Sequence, residues 1–344
     1  MRIDERAEAL WAAAIAGDED AAADVVLAAL DAGVPMESVL LDVVAAVQAR
    51  AGREWADNRI TVAQEHTATA VNDRVLAVLA HHPSARDDRR DAPARGRVVV
   101  ACVDGEWHAF PARLLAEVLR LRGWRVDYLG AQVPAPHLIG HLHRTNPDAV
   151  ALSSSLAVRL PAAHAAITAC QSTGVPVLAG GAAFGPDGRY ARLLGADAWA
   201  PDACAAADLL ASGPLPRRSG GEPPHLAGHE YDVLTEQAAD LVRGVMGELG
   251  RRVPQMTGYT EEQLARTAED IAYIVEFLRA ALYVSDPELF TSFVAWMAGV
   301  LTSRGVPTRA LSTGLRTLAA RLTDLPGARD MLERAQATLR ADAR

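Results

Sequence analysis

The sequence predicts an α/β protein in three parts: a four-helix bundle, a doubly wound parallel sheet, and an all-α C-terminal region. Three observations carry this. Apolar residues recur at three- and four-residue steps from Arg2 to about His82, short β-branched runs then alternate with helical windows, and wide helical stripes return near the C-terminus. The chain has 344 residues, of which 50% are hydrophobic, enough for two or three domains with their own cores.

In the first part Leu10, Ala14, Val25, Leu27, Leu30, Val39, Leu41, Val44 and Val47 mark helical faces. Breaks at Gly17, at Gly33 with Pro35, and at Asn58 divide four helices, giving a bundle domain over 1–82. His82 to Pro93 is charged and aperiodic and reads as a linker. The second part spans 95–211. Strands are expected at Val98–Val103, Val126–Leu129, Ala149–Leu152 and Val175–Leu178, with a helical window from Pro111 to Arg122. This alternation builds a parallel sheet whose ligands sit beyond the carboxyl ends of its strands. A Gly-, Pro- and Ser-rich stretch from Ser212 to Pro224 marks another linker. The third part, 225–344, carries the stripe Ile271, Ile274, Val275, Leu278, Leu282 and a second stripe through Leu289, Phe290, Phe293, Trp296, Met297 and Leu301.

A formal charge of −9 and a pI near 5.6 argue against a general nucleic-acid binder, so no direct nucleic-acid contact is expected. Cys102, Cys170 and Cys204 lack metal-type spacing and suit a reducing compartment. The N-terminus carries acids where a signal peptide would carry bases, and no apolar run is of membrane-spanning length. A cytoplasmic protein without a membrane partner is expected.

The loop after the first strand reads Asp104-Gly105-Glu106-Trp107-His108-Ala109-Phe110-Pro111, an acid two residues before a histidine at the mouth of the sheet. Such a pair suits a metal-bound imidazole whose second nitrogen is held by a carboxylate, and equally suits a solvated loop histidine. Two further strand ends, Leu152-Ser153-Ser154-Ser155-Leu156 and Ala179-Gly180-Gly181-Ala182, bring hydroxyls and glycines to the same edge. There they allow close backbone approach to a bulky group, or form ordinary turns.

Together and in this order these elements resemble the cobalamin-binding domain pattern, acid-x-His-x-x-Gly followed by Ser-x-Leu and Gly-Gly. The resemblance covers about Arg97 to Ala205 and implies a Rossmann-like domain with His108 as lower cobalt ligand backed by Glu106. It also implies a cofactor tail running past Ser153, Ser155, Gly180 and Gly181. The sequence departs from the pattern in having Glu106 where Asp is commoner and Pro111 in place of the glycine. In the bundle, Trp55 followed after nine residues by Glu65-His66 looks like the cap of light-responsive, adenosylcobalamin-dependent transcriptional repressors. By that resemblance all three residues contact the adenosyl group. The plain alternative is a core tryptophan with a first-turn acid and a paired histidine. Those repressors carry an N-terminal winged helix, whereas this chain starts with the bundle.

The C-terminal line Tyr273-Ile-Val-Glu-Phe-Leu-Arg-Ala-Ala-Leu with Leu289-Phe-Thr-Ser-Phe-Val-Ala-Trp resembles a globin-like module found behind cobalamin domains. No histidine follows His229 and no cysteine follows Cys204, so ligation of haem by either is not expected there. The whole arrangement resembles the photocobilins, photoreceptors that pair cobalamin with a bilin such as biliverdin. That resemblance implies light sensing with no enzymatic activity, a homo-oligomer (a dimer), an output partner not named by the sequence, and a noncovalent bilin. His229, Arg251, Arg252, Tyr259 and Tyr273 are its candidate contacts. The alternative is a corrinoid methyl carrier of a methyltransferase system, and a purely structural helical domain is the alternative at the C-terminus.

Overall fold

The computed structural model describes residues 1–217 and 229–342, and the chain divides into two compact units, Met1–Gly221 and Glu222–Arg344. The first unit opens with a bundle of four helical rods. They are α1 (Ile3–Ala16), α2 (Glu19–Asp31), a rod running from α3 (Met36–Ser38) through a π-helical stretch (Val39–Val44) into α4 (Ala45–Ala56), and α5 (Val62–His81). The breaks have local causes. Gly17 ends α1 at φ +72°, the Asp18 carboxylate accepts the Ala21 N–H to start α2, and Asn58 turns the chain at φ +58°. A capping box from Thr61 and Gln64 then opens α5.

The linker expected from His82 to Pro93 is instead largely a helix, α6 (Pro83–Asp91). Proline stands at its first position, where a missing N–H costs nothing, and the His82 side chain accepts the Ser84 N–H. Its only buried residue is Ala85, which is why no apolar period announced it.

Beyond α6 the chain alternates through β1 (Arg97–Cys102), α7 (Phe110–Leu121), β2 (Arg125–Gly130), α8 (Ala135–Thr145), β3 (Ala149–Ser153), α9 (Leu160–Ser172), β4 (Val177–Gly180), α10 (Arg189–Leu193), β5 (Ala198–Ala200) and α11 (Ala203–Ala211). All pairings are parallel and the order is β2-β1-β3-β4-β5. The chain reverses its direction of travel across the sheet between β1 and β3, and ligands bind at such a switch point. There Cys102 pairs with Ser153, so the loops after β1 and β3 leave the sheet side by side.

Bundle and sheet share one core. Leu40, Val44 and Leu79 belong to the same buried cluster as Val98, Val100, Leu114, Val118 and Leu210. Arg122, after α7, makes a two-pronged ion pair with Glu37 on α3 (3.0 and 2.5 Å) and another with Asp208 on α11.

The second unit is all-α: α12 (Glu230–Arg252), a 3₁₀ turn (Pro254–Gly258), α13 (Glu261–Tyr283), α14 (Pro287–Ser303), α15 (Thr308–Arg321) and α16 (Pro326–Asp342). Its core holds Leu234, Val245, Val275, Leu278, Phe290, Val294, Leu315, Leu318 and Leu332, so both sequence stripes contribute to the interior, while Trp296 of the second stripe is 48% exposed. The Glu230 carboxylate accepts the Gly327 and Ala328 N–H groups at 3.0 and 2.9 Å, capping α16 from another helix. From residue 218 on, the second expected linker lies outside the described residues. No described helix is long and apolar enough to cross a membrane.

Candidate functional site

Glu106 organises the switch point. Its residue is 1% exposed, and both carboxylate oxygens are used. Oε1 accepts from the His108 backbone N–H at 2.9 Å and lies 2.6 Å from His108 Nδ1. Oε2 accepts from the Ser154 hydroxyl at 3.2 Å and from the backbone N–H groups of Ser155 and Leu156 at 2.6 and 3.2 Å. One carboxylate therefore joins the β1 loop to the β3 loop. Burial alone would raise its pKa, yet the His108 ring and the backbone N–H groups of His108 and Ser155 hold it at about 2, so it is an anion.

His108 is the outward half of the pair. Its side chain is 54% exposed, with Nδ1 engaged and no hydrogen bond to Nε2 among the described residues. The hydrogen bond to Glu106 raises its pKa, burial opposes this, and the charges of Glu106 and Glu65 add to the rise. Glu65 stands on the first turn of α5, so its action on His108 brings the two sequence motifs, one from the bundle and one from the sheet, into one neighbourhood. Between the motif acid and the histidine, Trp107 is 71% exposed at the ligand edge of the sheet.

On the bundle side, Glu65 Oε2 lies 2.6 Å from Nδ1 of the exposed His66, and Glu65 Oε1 accepts from the Thr69 hydroxyl at 2.9 Å. Gln48 on α4 donates to Thr69 at 2.7 Å and accepts from the fully buried Asn72 at 2.9 Å. This polar ladder ties α4 to α5 and ends at Glu65. Trp55 is half-buried near the end of α4; beside it Glu54 pairs with Arg59.

A cavity of about 400 Å³ opens at the carboxyl ends of β3, β4 and β5. Ser153, Gly180 and Gly181 line it together with Leu115 of α7, and the bundle contributes Leu41 and Ala45. Gly181 sits at φ +100°, and a Cβ there would collide with the Ser154 carbonyl, so only glycine fits against the serine loop. Ser155 meets Glu106 through its backbone, while Ser154, buried between the two expected serines, supplies the hydroxyl.

Of the five residues expected to hold a bilin, His229 stands apart from the two arginines. His229 precedes α12 and Arg251 and Arg252 end it, a separation of about 33 Å along a helix of this length. Both arginines pair with Glu248, Tyr259 follows the 3₁₀ turn, and Tyr273 is 47% exposed on α13. His229 and the arginine pair thus stand at opposite ends of α12.

Sequence reasoning missed Ser154, Trp107, the Gln48–Thr69 ladder and the bundle's share of the cavity. Gln48 could have been found as a polar residue next to Val47 in an apolar stripe. The other roles depend on tertiary neighbours and left no local signal.

Comparison with known proteins agrees with this architecture. Models described as B12 binding domain match residues 6–80 and 96–208. HTH-type transcriptional repressor CarA of Myxococcus xanthus is 38% identical over 96 residues, 28% of this chain and 31% of the repressor. HTH-type transcriptional repressor CarH of the same organism is 32% identical over 182 residues, 51% of this chain and 57% of the repressor. The chain thus spans about a third and somewhat over half the length of these two curated relatives. Among solved structures, the Methanosarcina barkeri monomethylamine corrinoid protein shares the fold, with a TM-score of 0.51 at 19% identity over 59% of this chain and 95% of the other. The chain carries a cobalamin-binding module, and its sequence is similar to the repressors CarA and CarH.

Proposed function

We propose that this protein is a light-responsive adenosylcobalamin receptor and not an enzyme, with His108 as the lower cobalt ligand. The observation that carries the reading is the Glu106 carboxylate, buried and fully bonded, holding His108 Nδ1 so that Nε2 presents its lone pair at the rim of the sheet. A metal-bound imidazole wants this arrangement, because the second-nitrogen hydrogen bond fixes both tautomer and ring direction. The residues fit the cofactor in two other respects. The cavity lined by Ser153, Gly180 and Gly181 accepts a tail between the strands, and exposed Trp107 offers apolar surface beside the imidazole.

Adenosylcobalamin, when bound, supplies a cobalt–carbon bond that visible light breaks. Trp55, Glu65 and His66 would hold the upper ligand, and through Glu65 that contact reaches the Thr69–Gln48–Asn72 ladder inside the bundle. Losing the contact biases the packing of α4 on α5, a two-state element of the kind that turns ligand loss into an output. The output we assign is a change of homo-oligomer, a dimer in one state, or of partner. Because CarA and CarH are named as transcriptional repressors, DNA belongs among the partners to be tested, and the expectation of no nucleic-acid contact drawn from charge alone is set aside. In the helical second unit we propose a globin-like fold that binds biliverdin or another bilin noncovalently, using Arg251, Arg252 and Tyr259 at one end and the Tyr273 surface.

The test is an absorption spectrum of the dark protein reconstituted with adenosylcobalamin and biliverdin, taken before and after green and then red light, with oligomer size measured in parallel. Corrin bands that change under green light, and that lose their imidazole-ligated form in His108→Ala, support the receptor. A light-stable corrin that accepts methyl groups from a methyltransferase would move the assignment to a methyl carrier.

A further inference from the structure

A second cavity lies away from the switch point, where the end of the bundle meets the outer face of α7. It measures about 440 Å³ and is lined by His81 of α5, Arg86 and Arg89 of α6, Arg113 and Arg120 of α7, and Tyr128 of β2. Four guanidiniums share this space in a protein whose net charge is −9.

Two carboxylates answer them. Glu117, buried in the cavity wall, pairs with Arg89 at 3.2 Å and with Arg120 at 2.6 Å, and Asp73 pairs with Arg113 at 3.1 Å. Arg86 has no side-chain partner among the described residues, and Arg89 Nε is buried with no acceptor. Burial pulls the Arg89 pKa below its ordinary value, and the charges of Arg120 and Arg86 add to this against the opposing pull of Glu117. The pocket holds two cations more than it neutralises, and one buried donor waits for an oxygen. Leaving a buried donor unmade costs free energy, and like charges held together cost more.

We propose that this cavity is a binding site for a phosphate-class dianion, either inorganic phosphate or the phosphate of a small phosphomonoester. Such a group carries the charge that balances the excess. Its oxygens match the planar forks of arginine in pairs, which a monoanionic carboxylate does only on one side. Helix α6 reads as a charged linker in the sequence; in the fold it supplies the two arginines that close the pocket over α7. The site is separate from the cobalamin cavity, sharing no lining residue with it.

The test is isothermal titration calorimetry on the full chain with inorganic phosphate, with adenosine 5′-monophosphate, and with sodium chloride at matched ionic strength. One saturable site per chain is expected, weakened at least tenfold in Arg86→Ala, a residue whose side chain makes no hydrogen bond or ion pair among the described residues. Arg89→Gln should weaken it as much, and cobalamin loading of both variants, unchanged from the parent, reports that they are folded. Tighter binding of the nucleotide than of phosphate identifies an organic phosphate as the occupant, and equal binding identifies the phosphate group alone; both support the site. Absence of heat at millimolar phosphate, heat reproduced by chloride, or binding indifferent to Arg86→Ala overturns it.

Discussion

Glu106 serves a histidine and a neighbouring loop at once with a single anion. Its pKa is held at about 2 against an ordinary 4.5, so the folded state binds its proton less tightly than the unfolded chain does. The sign follows. Its contribution to stability is complete above about 4.5 and is lost as pH falls from there toward 2. Chemical unfolding of the cobalamin-free protein should show this loss across that interval, and Glu106→Gln should flatten it while lowering stability at neutral pH by about 2 kcal/mol, the worth of charge-assisted hydrogen bonds in a buried site. An unchanged acid limb in Glu106→Gln would place the titrating group elsewhere. The sequence made half of this readable: an acid two before a histidine predicts the imidazole contact. The other oxygen, gathering Ser154, Ser155 and Leu156, depends on two loops fifty residues apart meeting at the switch point, and nothing in the local sequence of either says so.

Legibility followed burial pattern at the level of elements. Strands β1, β3 and β4 were visible because strands covered on both faces read as continuous apolar runs. Strand β5 was not, since Ala198-Trp199-Ala200 is three residues long without a β-branched side chain. Helix α6 escaped for the opposite reason, being polar over nearly its whole surface. The π-helical stretch Val39–Val44 is invisible to a search for helical period, which it barely disturbs, yet it lines the cavity through Leu41. Such stretches are uncommon and recur at functional sites. Leu41 is half-buried, so a larger side chain can project into the cavity and leave the bundle core intact. Leu41→Trp should therefore keep the helical circular dichroism and midpoint of unfolding of the parent but lower cobalamin affinity by about an order of magnitude or more, the loss expected from over-filling a bound group's space. Full cobalamin affinity in that variant would take the tail out of this cavity.

For the whole molecule, the two compact units each have their own buried core, and the B12 binding domain matches lie entirely in the first. Bundle and sheet, successive along the chain, share one continuous cluster of buried residues, so they should unfold together. The helical unit carries a separate core and should unfold on its own. A ligand that binds one folded unit stabilises that unit by mass action, about 2.7 kcal/mol at a free concentration a hundred times its Kd. Scanning calorimetry of the full chain in the dark should then resolve two transitions, of which adenosylcobalamin raises one and leaves the other in place. Biliverdin should raise the second and leave the first. A single transition that moves as a whole with either ligand would mean that the units are energetically one body. In that case a ligand bound to the first unit would be felt directly in the helical unit, and both units would report on one equilibrium.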